Sequence, residues 1–101
     1  MPKIYEYLGL IFYFYSNEHE PIRVHVTIAE RETIFEIILE NGLLLTINKR
    51  ISKGKNPLTI KEEKDAVVFI NEFYKKIVEK WINFFVLKKI IKVSRITRKL
   101  K

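Results

Sequence analysis

The sequence predicts an α+β fold: an antiparallel meander of about five strands over residues 3–49, covered on one face by a long C-terminal helix over about 59–88. Two observations predict it. Apolar residues alternate through the first half and are interrupted at short intervals by Gly, Asn and Pro. A capping-box pair, Thr59 and Glu62, then opens a stretch whose apolar residues recur at helical spacing. With 101 residues, 48% of them hydrophobic, the chain has the mass of a single domain with one core: sheet 1–50, loop 51–58, helix and basic tail 59–101.

Taken in order, Ile4 to Tyr7 and Leu10 to Tyr15 read as a hairpin turning at Leu8-Gly9. The third run sets Ile22, Val24, Val26 and Ile28 on one face and Arg23, His25 and Thr27 on the other. A loop at Ala29 to Glu32 would place Val26 opposite Phe35 and Val24 opposite Ile37. On the far face His25 would then lie across from Glu36, in a polar neighbourhood with Arg23 and Thr46. At Asn41-Gly42 a two-residue turn would mix polar and apolar partners. A three-residue loop of Glu40, Asn41 and Gly42 instead pairs Leu39, Ile37 and Phe35 with Leu43, Leu45 and Ile47, and is the expected register.

Lys49 to Pro57 follows neither period and reads as a loop. After the cap, the acids Glu62, Glu63 and Asp65 suit a helix N-terminus, and Lys88 and Lys89 suit its far end. Ala66, Ile70, Phe73, Ile77, Trp81 and Phe84 form the stripe expected to cover the sheet. Beyond it, Ile90, Ile91, Val93, Ile96 and Leu100 fit either a helical extension or a short added strand.

Charge is uneven. The net +7 resolves into +9 over residues 75–101, which hold ten basic groups and one acid, and −2 over the remainder. The absence of cysteine excludes disulfides, thiolate metal sites and cysteine nucleophiles, and agrees with a cytoplasmic location. Leu10 to Tyr15 lacks the features of a signal peptide, and Trp81 to Leu87 falls far short of the roughly 20 residues that span a bilayer. No membrane association is expected.

Pro2-Lys3-Ile4, Gly9, the loop Tyr15-Ser16-Asn17-Glu18-His19-Glu20-Pro21, His25-Val26 and Trp81 carry a resemblance over nearly the full length. The chain resembles a family of small bacterial proteins known only as a domain of unknown function, whose signature is an Asn-acid-His-x-Pro loop followed by closely spaced histidines. Arg23 stands where the family has its middle histidine. The resemblance implies a loose association with toxin–antitoxin-like gene pairs, and makes Asn17, Glu18, His19 and Pro21 candidate binding residues.

Three chemistries compete for these residues. A metal site would draw on His19, His25, Glu18, Glu20 and Glu36, but two histidines beside Arg23 are a poor ligand set, so neither metal nor cofactor is expected. Metal-independent RNA cleavage would use His25 or His19 as the base, Glu36 to hold it and Arg23 for the phosphate charge. The strongest electrostatic feature is the basic end, Lys88, Lys89, Lys92, Arg95, Arg98 and Lys99, whose interleaved apolar residues imply docking. The leading expectation is a cytoplasmic binding module, more plausibly not an enzyme, contacting RNA, DNA or a partner protein through that segment. The alternatives are the ribonuclease-like toxin and a purely structural homo-oligomer such as a homodimer.

Overall fold

The chain orders itself as β1 (Lys3–Tyr7), β2 (Leu10–Tyr13), β3 (Ile22–Ile28), β4 (Arg31–Glu40), β5 (Leu43–Ile51), α1 (Ile60–Trp81), a π-helical turn (Ile82–Val86) and β6 (Ser94–Ile96). The computed structural model describes residues 3–14, 21–88, 93–97 and 99–100. The strands form one open sheet in the order β5-β4-β3-β2-β1-β6. Its first five strands are the antiparallel meander expected. The sixth resolves the open question of the tail: β6 joins β1 in parallel, so the chain leaves one edge of the sheet through α1 and returns to the other.

Two registers differ from expectation. Ala29-Glu30 makes a two-residue turn with Ala29 at φ 52°, so Ile28 pairs with Arg31, Val24 with Phe35 and Ile22 with Ile37. His25 therefore lies across from Ile34, and Arg23 takes the place opposite Glu36. The tighter turn brings Arg31 and Glu32 into β4. There Arg31 forks onto Glu62 of α1 through bonds of 2.9 and 2.6 Å, and Glu32 gathers three side chains. Those interactions offset the left-handed alanine.

At Asn41-Gly42 both residues have positive φ, 53° and 80°, as in the type I′ turn that matches strand twist. Glu40 pairs with Leu43, giving a two-residue loop in place of the three-residue one. A bulge at Leu45 then shifts the register, so Ile37 faces Ile47 and Phe35 faces Lys49. The turn and the bulge together recover the apolar Ile37–Ile47 pair, at the cost of leaving Leu43 and Leu45 exposed.

The core lies between α1 and one sheet face. Thr59 and Glu62 form the capping box at 3.2 and 2.9 Å, and the Thr33 hydroxyl accepts the Leu58 N–H, which seats the helix start on β4. The buried helical stripe is Ala66, Phe69, Ile70, Ile77 and Trp81; Phe73 and Phe84 from the expected stripe are only half-buried. Phe69 is the centre, with Tyr5, Tyr7, Phe12 and Phe73 at ring-centroid distances of 4.6–5.1 Å. At the far end Lys80 lies 4.5 Å from the Tyr5 ring centroid and donates to the Ile4 carbonyl and Ser94, tying the helix to β1 and β6. The α-helix ends at Trp81 and the π-turn at Val86, just short of the expected limit at 88. Among the described residues no helix is long and apolar enough to cross a membrane.

Candidate functional site

The face of the sheet turned away from α1 carries the chemistry, because strand alternation sends Arg23, His25, Glu32, Glu36, Asn48 and Arg50 of β3, β4 and β5 there together. Tyr13, His25, Ile34 and Arg50 form one cross-strand row, and Arg23, Glu36 and Asn48 the next. Two polar arrangements result.

The first is a buried network around Glu32. This carboxylate, 1% exposed, accepts hydrogen bonds from the Tyr13 hydroxyl and from Ser52 Oγ at 2.6 Å, and meets His25 Nδ1 at 3.4 Å. His25 is 2% exposed and stacks on Tyr13, with centroids 5.2 Å apart. Burial raises the Glu32 pKa, but the bonds from Ser52, Tyr13 and His25 outweigh it and hold the group below its ordinary value.

The second arrangement is a pair of guanidinium groups fixed by one carboxylate. Glu36, nearly buried, takes Arg23 Nε at 3.0 Å and Arg50 Nε at 2.7 Å on the same oxygen. Beside it an open groove of about 690 Å³ is lined by Arg23, Lys49, Arg50, Lys53, Ser52 and Ile34. No acid interrupts residues 49–61, and Lys55 adds a further exposed cation. Ser52 belongs to both arrangements, touching the groove on one side and Glu32 on the other.

The residues singled out from sequence are thus split. Arg23 and Glu36 come together, while His25 belongs with Glu32. Thr46 shares the face but lies opposite Ile38, with Asn48 beside Glu36 instead. Asn17, Glu18 and His19 fall outside the described residues, and Pro21 lines an apolar cavity on the helix side. Of the basic end, Lys88 and Lys99 are exposed, Arg95 pairs with Glu6 at 3.1 Å, and Lys89, Lys92 and Arg98 lie outside the described residues. Among the described residues no three of His, Asp and Glu are grouped as metal ligands.

Sequence reasoning missed Glu32, Ser52, Lys49, Arg50 and Lys53. The cations had a signal, since Lys49-Arg50 and Lys53-Gly54-Lys55 form an acid-free basic run. Glu32 and Ser52 had none, because their meeting depends on registers set by two turns.

A family model described as a domain of unknown function (DUF4160) matches residues 9–82, from the first hairpin turn through the end of α1 and the first residue beyond it. The match spans the groove and the Glu32 network, and leaves all of β1 and all of β6 outside. Comparison with curated proteins and with solved structures gives no match.

Proposed function

Because the chain belongs to the DUF4160 family, whose description carries no activity, we propose from the polar face itself that it is a cytoplasmic module binding the phosphate backbone of RNA. The observation that carries this reading is the groove: Arg23, Arg50 and Lys53 converge on one open trough, with Glu36 fixing the two guanidinium planes in advance, while the Lys49 ammonium at its rim is held by Glu63 of α1 at 2.9 Å. Guanidinium groups suit phosphate oxygens, and prior fixation lowers the entropy lost on binding. β6 lies at the opposite edge of the sheet, where Arg95 is engaged with Glu6, so the groove is the primary contact in this proposal.

Incubation with total cellular RNA at low and moderate salt, following retention and fragmentation together, tests the reading. Retention that falls with salt, and falls further in an Arg50→Ala, Lys53→Ala double variant, is the expected result. Fragmentation lost in His25→Ala would replace it with the ribonuclease-like reading. Neither retention nor fragmentation would reject both and turn attention to a partner protein, as the implied toxin–antitoxin-like association suggests.

A further inference from the structure

On the helix side of the sheet, where the end of α1 passes β3 and β4, a cavity of about 540 Å³ lies among Ile22, Ile37, Leu39, Val78, Trp81 and Ile82. Its volume falls within the roughly 300–1,000 Å³ of small-molecule sites. None of the described side chains lining it is charged. Trp81 is 8% exposed, and its indole Nε1–H is buried with no acceptor among the described residues. Such orphaned donors are rare in folded proteins. At the same wall the α-helix widens into the π-turn Ile82–Val86, closed by the Leu87 N–H on the Ile82 carbonyl at 2.9 Å. Turns of this kind concentrate at functional sites.

Trp81, which carries the orphaned donor, lines the cavity, and the widened turn begins at the same wall with Ile82. An ion would lose its hydration with no compensating charge. A hydrocarbon would fill the space and leave the indole N–H unmet. We propose that this cavity binds a neutral, largely apolar small molecule whose carbonyl oxygen accepts from Trp81 Nε1. The nitrogen is shielded from water, so the bond forms with a shift of the ring or its neighbours.

Trp81 is the sole tryptophan, so its indole N–H resonance reports this site alone. The test titrates the isotopically labelled full chain with cyclohexanone, 2-heptanone and ethyl butyrate, and with cyclohexane as the acceptor-free control. A carbonyl compound should move the indole resonance and bind at least tenfold more tightly than cyclohexane. Trp81→Phe should abolish that preference, and Leu39→Phe, which narrows the cavity and leaves the indole in place, should weaken every probe. Equal affinity for ketone and hydrocarbon, an unmoved indole resonance, or binding unchanged in Leu39→Phe would overturn the proposal. So would a dimer that Leu39→Phe disperses in a protein that takes up no carbonyl compound, which would assign the cavity to a second copy of the chain.

Discussion

Glu32 shows how a single charged residue can be kept within a sheet. Ionisation is opposed by burial and favoured by Ser52, Tyr13 and His25, and the balance lowers the pKa. With the folded value below the unfolded one, the contribution to stability is present above the ordinary carboxylate range and is lost as pH falls through the lowered folded value. Ser52→Ala removes one favourable bond, so it should move the acid limb of the stability profile to higher pH, which urea midpoints across a pH series would show. Glu32→Ala strands the buried Ser52 hydroxyl, and a loss of roughly 1–3 kcal/mol is expected from the same midpoints at pH 7. His25 was legible in the sequence as a polar residue in an alternating strand. Its partner was not, because a register change of two residues keeps every side chain on its face and replaces every partner.

The hairpins show that limit at the scale of elements. Asn41-Gly42 announced its turn, yet the pairing beyond it depended on a bulge at Leu45 that no residue marks in advance. Ala29 at positive φ is likewise a conformation that alanine does not signal. The helix start was fully legible, since capping is local chemistry: Thr59, Glu62 and the acids behind it needed no tertiary contact. The helix phase was less so, because Phe69 is offset from the chosen stripe and its place at the centre depends on Tyr5, Tyr7 and Phe12 from the distant first hairpin. Phe69→Ala should cost about 3–5 kcal/mol in chemical unfolding, as expected for an emptied aromatic site in a packed core. Glu62 joins the helix cap to the sheet, and the forked hydrogen bonds from Arg31 and the capping bonds from Thr59 lower its pKa to about 2. Its stabilising effect is complete above the unfolded value near 4.5 and is lost as pH falls through about 2. Titration of the Glu62 side-chain carbon resonance should show that low midpoint, and Arg31→Ala should return it toward 4.5.

Among the described residues of the molecule, basic side chains lie at two opposite edges of one sheet: the groove beside β5, and Arg95 on β6. Sequence composition made only the second conspicuous, because a linear count of charge rewards residues that are adjacent in the chain. The groove draws Arg23 from β3 to residues of β5 and the loop after it, and folding alone makes them neighbours. The two edges make separable predictions for RNA. Each phosphate neutralised by a cation contributes about −0.7 to the slope of log affinity against log salt for a single strand. Binding through Arg23, Arg50 and Lys53 should therefore give a slope of about −2, and Arg50→Ala with Lys53→Ala should bring it to about a third of that value. Lys88→Ala with Lys99→Ala, at exposed sites away from the groove, should leave the slope unchanged. The reverse pattern, a slope that follows Lys88 and Lys99 and ignores Arg50 and Lys53, would move the contact to the C-terminal edge. In that case the Glu36-fixed arginine pair would be a structural cross-strand tie that holds β3, β4 and β5 together.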